Sequence, residues 1–209
     1  MEEKVMIPGP EATLEGRWSP GKEGGVVIAH PHPLFGGSMD NNVVWTARQA
    51  FQARGWATLR FNFRGVGRSS GTYGGGSGEI ADLAAALGWL IARNLRPGYL
   101  VGYSFGAYVA AQALAQGLEA DGALLISPPL AFMDLAILPQ VPRLALIVAG
   151  DRDELCPVAD LQTLLSGHPN PPEVKVVPGT DHFFGGCEDQ LFQILRDYPL
   201  PSRGVGSGA

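Results

Sequence analysis

The feature that most constrains this chain is the run Gly98-Tyr-Leu-Val-Gly102-Tyr-Ser104-Phe-Gly106-Ala-Tyr-Val-Ala-Ala111. A short apolar segment suited to a buried strand passes through a Gly-x-Ser-x-Gly turn into an Ala-rich stretch suited to a helix. A strand and a helix joined this tightly bring their backbones close together. Gly102 and Gly106 flank Ser104 at places where a side chain would collide. Ser104 would stand on a strained turn with its hydroxyl clear of the backbone, as a nucleophile requires. A helix N-cap after a strand would also account for a serine there. The pattern alone selects little in a chain with 29 glycines, and Gly67-Arg-Ser69-Ser-Gly71 satisfies it too. Ser69, however, is followed by Thr72-Tyr-Gly-Gly-Gly-Ser-Gly78, which cannot start a helix. Context selects Ser104.

Around this run, apolar strands alternate with helical periodicity. Strands are expected at Gly25–His30, Ala57–Phe63, Tyr99–Tyr103, Gly122–Ser127, Arg143–Ala149 and Glu173–Val177. Helices are expected at Asn41–Arg54, Gly78–Arg93, Phe105–Gln116, Val158–Ser166 and Glu188–Asp197. Such alternation signals βαβ units and an α/β fold: a mostly parallel, doubly wound sheet flanked by helices. Thr13–Trp18 has the alternation of an antiparallel edge strand. The reading is one domain over residues 1–200, and a tail at 201–209 with nothing to bury and therefore disordered. Between Ser127-Pro-Pro129 and Pro142 only residues 130–141 remain. They hold one short amphipathic helix (Leu130, Met133, Asp134, Ile137) and no cap domain.

Composition excludes several classes. With 45% hydrophobic and 17% charged residues over 209 positions, the chain is globular. A net charge of -5 argues against nucleic acid or an anionic membrane as partner. No apolar run approaches the ~18 residues of a membrane span. Met1-Glu-Glu-Lys4 lacks the layout of a secretion signal, so a cytoplasmic protein is expected. Cys156 and Cys187 are too few for a metal site or a disulfide framework and are expected to be packing residues. No cofactor is called for, and the oligomeric state is left open.

A serine hydroxyl needs an adjacent base, and the base needs an orienting acid. Both types stand at strand ends: Asp151 and Asp153 after the strand ending at Ala149, and His182 after the strand ending at Val177. In open parallel sheets, ligand groups gather at the carboxyl ends of strands. Asp153 is favoured over Asp151, which follows Gly150 directly and suits an Asx turn. Asp181 suits a turn, and His168 lies in a Pro-rich surface loop. An oxyanion would need N–H donors. Phe105, the residue after Ser104, offers one. The second would come from His30-Pro-His-Pro-Leu-Phe-Gly-Gly37, where Pro31 and Pro33 have no N–H, leaving His32 or Leu34. A metal on His30 and His32 is disfavoured, because residues two apart in extended chain face opposite ways and no third ligand is near.

These blocks together resemble the α/β-hydrolase superfamily over residues 10 to 198. More narrowly, His30-Pro-His-Pro-Leu-Phe-Gly-Gly-Ser-Met-Asp-Asn-Asn42, Phe61-Asn-Phe-Arg-Gly-Val-Gly-Arg-Ser69, Gly102-Tyr-Ser-Phe-Gly106 and Gly150-Asp-Arg-Asp-Glu-Leu155 are similar to small, lidless bacterial predicted esterases related to dienelactone hydrolases. The order Ser104, Asp153, His182 is that superfamily's order of nucleophile, acid and base. The resemblance implies that Arg64-Gly-Val-Gly-Arg68 forms a loop over one side of the active-site mouth. It departs from the family at Cys156, where a small aliphatic residue is usual. The implied activity is serine hydrolysis of small to medium carboxylic esters through an acyl-enzyme. A thioesterase would use the same triad, and a non-catalytic binding module is the alternative of a different class. Phe35, Phe105, Leu130, Phe132, Phe183 and Phe184 are candidates either to line the mouth or to pack in the core.

Overall fold

The computed structural model describes residues 2–96 and 98–201; of the expected tail, 202–209 lie outside the described residues. The chain forms strands β1 Glu3–Pro8, β2 Thr13–Ser19, β3 Gly25–Ala29, β4 Ala57–Phe61, β5 Gly98–Tyr103, β6 Gly122–Ile126, β7 Leu144–Gly150 and β8 Glu173–Val177. The helices are α1 Asn42–Ala53, α2 Ser77–Ile91, α3 Phe105–Ala115, α4 Val158–Leu165 and α5 Glu188–Asp197. One eight-stranded sheet has the order β1-β2-β4-β3-β5-β6-β7-β8. It is parallel from β4 to β8, and β1 and β2 join it antiparallel.

The period of two along a strand divides the apolar residues between two cores. Val27 and Ala29 of β3, with Leu100 of β5, pack beneath α2, α3 and α4; Val26, Ile28 and Val101 pack beneath α1 and α5. Every residue of β3, β4, β5 and β6 is buried. Strands covered on both faces read in sequence as unbroken apolar runs. Helix starts follow from local chemistry: Asn41 accepts the Val43 N–H at 2.9 Å to cap α1. Glu79 accepts the Gly74 and Gly76 N–H groups at 2.8 and 2.7 Å ahead of α2.

From β3 the chain runs through α1 to β4 on one side, then crosses through α2 to β5 on the other. The connections thus part at the carboxyl ends of β3 and β5, where a crevice opens. That end of the sheet carries the loop after β3, the turn from β5 to α3, and the loops after β6, β7 and β8.

Two expectations are corrected. Thr13–Trp18 is antiparallel but not an edge, since β2 lies between β1 and β4; the edge is β1, where Ile7 is buried, Val5 is half-buried and the rest is exposed. Residues 130–137 form no α-helix. The Met133 N–H reaches Pro129 O at 2.8 Å, Asp134 then takes the Ala136 N–H into a turn at 3.0 Å, and a single 3₁₀ turn follows at Leu138–Gln140. Asp134 takes the Ala136 N–H that a helix would pass to residue 132, and Pro139 has no N–H to carry the helix onward. No cap domain is present among the described residues.

A Cβ at Gly102 would stand 2.3 Å from Gly106 O, and one at Gly106 would stand 2.5 Å from Ala29 O. Gly102→Ala is therefore expected to destabilise the fold by about 3 kcal/mol, read as a lower midpoint of urea unfolding with an unchanged slope.

Candidate active site

Ser104 occupies the turn between β5 and α3 with φ 53° and ψ −115°. This conformation costs a non-glycine residue ~1–3 kcal/mol and persists only where its surroundings enforce it. The enforcement is visible: the Ser104 N–H donates to Ile126 O of β6 at 2.9 Å. The Ser104 carbonyl accepts the Ala107 and Tyr108 N–H groups at 2.9 and 3.1 Å. The result aims Oγ into the crevice.

His182, in the loop after β8, lies 2.9 Å from Ser104 Oγ through Nε2. Its Nδ1 lies 2.9 and 3.0 Å from the two carboxylate oxygens of Asp153. Burial is the largest single influence and pushes the Asp153 carboxyl up, but the hydrogen bonds and charge around it, those of His182 foremost, together hold the group below its ordinary value. An ionised carboxylate can only accept, so the proton of His182 sits on Nδ1 and Nε2 is left to accept from Ser104. Asp153 also accepts the Leu155 and Cys156 N–H groups at 3.0 and 2.9 Å, which fixes its loop. Asp151 does something else: its carboxylate accepts the Thr180 N–H at 3.2 Å, tying the β7 loop to the β8 loop. Asp181 takes the Phe183 N–H in its own turn at 2.9 Å.

Phe105 is the first residue of α3, where N–H groups have no intrahelical acceptor. In the loop after β3, the Leu34 N–H is engaged by His32 Nδ1 at 3.2 Å, and the Leu34 side chain is exposed. Among the described residues, no acceptor is matched to the His32 N–H. The other nitrogen of His32 lies 3.2 Å from the Tyr73 hydroxyl. His30 is wholly buried, with Nδ1 at 2.6 Å from Pro31 O and Nε2 accepting the Phe63 N–H at 3.0 Å. Both histidines are thus used in shaping this loop. No group of three or more His, Cys, Asp or Glu suited to a metal occurs among the described residues.

Other residues singled out from the sequence take structural places. Ser69 accepts the Glu15 N–H at 2.9 Å and donates to Asn62 O at 2.7 Å, which is a structural use. The Arg64–Arg68 loop lines neither cavity beside Ser104. Arg64 is instead drawn into ion pairs with Asp82 and Glu11, both at 2.9 Å. Leu130 and Phe184 pack in the two cores, whereas Pro129, Met133 and Leu155 line the crevice. Cys156 is buried and burial pushes its thiol up, so no thiolate forms. Tyr103 was not singled out from sequence. Its hydroxyl donates to His182 O at 2.9 Å and so pins the His182 loop to the strand that carries Ser104. Only its place beside Ser104 in the Gly-x-Ser-x-Gly run hinted at this.

With this geometry in view, comparison with known proteins is decisive for the family. A family model described as alpha/beta hydrolase fold matches residues 32–152. The chain belongs to the α/β-hydrolase fold family. It is 37% identical to an alpha-beta serine hydrolase homologue from Coxiella burnetii, over 93% of this chain and 95% of that one, with a TM-score of 0.86. It is 32% identical to an a/b serine hydrolase without lid from Xanthomonas campestris, over 93% and 92% of the two chains, with a TM-score of 0.85. An uncharacterised protein of Rickettsia prowazekii is 34% identical, over 93% of this chain and 87% of that one. The two serine hydrolase structures among these relatives support hydrolase chemistry. No described helix is long and apolar enough to cross a membrane.

Burial pushes the His30 imidazole down to about 4, while an unfolded histidine protonates near 6.5. The unfolded chain therefore binds the extra proton first, and the stability tied to neutral His30 is full above about pH 6.5 and lost as pH falls toward about 4. The expected loss is about 3 kcal/mol across that window. Urea unfolding at stepped pH, with ring-proton titration of His30 by NMR, checks both the slope and the midpoint.

Proposed function

We propose that this protein is a serine hydrolase that cleaves small to medium carboxylic esters through an acyl-enzyme. The observation that carries the reading is the unbroken hydrogen-bonded chain from Ser104 Oγ through His182 to Asp153, set at the mouth of an open crevice. His182 Nε2 takes the Ser104 proton as Oγ attacks the ester carbonyl, and Asp153 holds the imidazole in the required tautomer and stabilises its charged form. The oxyanion that develops is met by the backbone N–H groups of Phe105 and His32, the two donors not engaged elsewhere. His182 then returns the proton to the departing alcohol. Water, activated by the same imidazole, releases the acid and regenerates Ser104.

The reading also draws on the serine hydrolase homologues among the solved structures. A crevice without a cap domain leaves the scissile bond open to water and to small, soluble substrates without a lid-opening step.

The test is a fluorophosphonate label with activity on p-nitrophenyl butanoate. Wild type should label at Ser104 and turn over. Ser104→Ala should do neither, with kcat lower by on the order of 10⁶, the loss found when a serine protease loses its nucleophile. Retention of more than a few per cent of activity in that variant would remove Ser104 from the mechanism.

The two neighbouring acids should separate cleanly. Asp153→Asn is expected to lower kcat by on the order of 10⁴, the loss when the orienting acid of such a triad is replaced. Asp151→Asn should keep turnover and lose about 1 kcal/mol of stability with its bond to Thr180. Paired measurement of kcat and melting temperature decides between them.

A further inference from the structure

Two cavities meet at Ser104. They share His32, Phe35 and Leu155 and differ in what completes them. The smaller, of about 140 Å³, is closed by Phe105, Pro129, Phe132 and Met133. The larger, of about 330 Å³, is completed by Asn41, Tyr103, Phe183 and, on its wall, His182.

That last difference fixes how a substrate lies. When the tetrahedral intermediate collapses, the carbon–oxygen bond to the alcohol breaks, and its electron pair leaves with that oxygen. The oxygen takes the proton from His182 Nε2. The departing oxygen must therefore be on the side of Ser104 that His182 lines. The acyl arm, on the opposite side of the carbonyl carbon, is left with the cavity that His182 does not reach. We infer that the smaller, aromatic cavity receives the acyl arm and the larger one the alcohol. The substrate is then a neutral ester whose acyl group is about the size of hexanoyl or benzoyl. This rests on the serine-hydrolase reading above.

Size and polarity support the assignment. A cavity of ~150 Å³ lined by apolar side chains holds one benzene, which is close to the volume here. Phe105 forms the buried floor, at 1% exposed. Phe35 and Phe132 stand at the solvent end, 73% and 60% exposed, with ring centroids 5.9 Å apart. A longer chain has to pass between those two rings into water. Neither cavity is lined by Lys or Arg among the described residues. A carboxylate on the acyl arm, or the phosphates of a nucleotide-bearing thiol, would lack a partner.

The experiment uses the full chain and two ester series. In the first, p-nitrophenyl esters run from acetyl to dodecanoyl. In the second, hexanoyl esters carry alcohols from methyl to naphthylmethyl. kcat/KM should rise about fourfold per methylene, the gain from covering one CH₂, up to about hexanoyl. It should then fall at least tenfold by decanoyl, while the alcohol series stays nearly flat. Met133→Trp should move the acyl optimum toward acetyl, and Phe132→Ala should extend it beyond hexanoyl. Phe183→Ala should alter the alcohol series alone. Phe132 and Phe183 are exposed, so their truncation leaves the fold in place even where Met133→Trp disturbs it.

Dodecanoyl esters cleaved as fast as hexanoyl ones would overturn the inference. So would a Phe183→Ala variant that shifts the acyl optimum. With Ser104 still labelled by fluorophosphonate, either result leaves the hydrolase reading standing. A chain that neither labels nor turns over any ester overturns both.

Discussion

The closeness of α3 to β3 and β5 is the contact on which the rest of the centre depends. It is possible only because two positions carry no side chain. With Gly102 and Gly106 in place, Gly106 passes against the carbonyls of Ala29 and His30, and the chain can turn from strand to helix at one residue. That turn throws Ser104 into a positive-φ conformation. It is held there by the Ile126 carbonyl on one side and the first turn of α3 on the other. The strain is local, and the support comes from the most deeply buried part of the sheet. A mobile loop could not hold a hydroxyl in this way.

The loops around Ser104 are braced both against one another and against the sheet. Asp151 fastens the β7 loop to Thr180 of the β8 loop, and Tyr103 fastens the β8 loop back to β5. Asn62 accepts the Met39 N–H at 2.8 Å, and Arg60 bonds Met39 O at 2.9 Å and pairs with Asp40, so the end of the long loop after β3 is moored to β4. Asn42 bridges from the start of α1 to Phe183 O and Glu188, both at 3.0 Å. Three separate chain segments thus hold the hydrogen-bonded chain of Ser104, His182 and Asp153 with few degrees of freedom left.

Much of the fold was legible in the sequence because the central strands are buried on both faces, and unbroken apolar runs such as Val26–Ala29 or Leu146–Ala149 admit few other readings. The helices were legible through their caps and periodicity to within two residues at each end. Where the burial signal thins, legibility ends. β1 exposes most of Glu3–Pro8 and pairs along one edge only, so nothing in its composition announces a strand. Residues 130–137 have helical spacing in Leu130, Met133 and Ile137, but the Asp134 turn and Pro139 override it. At the site, order along the chain and position at strand ends singled out Ser104, Asp153 and His182, which the fold brings within hydrogen-bond distance. The supporting contacts were not legible. Tyr103 to His182 O and Leu34 N–H to His32 join side chains to backbone atoms, and a backbone atom carries no sequence signature.

With no cap domain among the described residues, Phe35, Phe132 and Phe183 are exposed to water. In a lidded relative, a moving segment would cover and uncover such rings. Under the proposed assignment of the two cavities, substrate itself dehydrates them. The heat-capacity change that a lid would absorb in its own closure falls instead on the binding step, and it is negative. Binding strength then acquires a curved temperature dependence. It also rises in salts that are excluded from apolar surface, while the hydrogen-bonded residues beneath the rings are left unchanged.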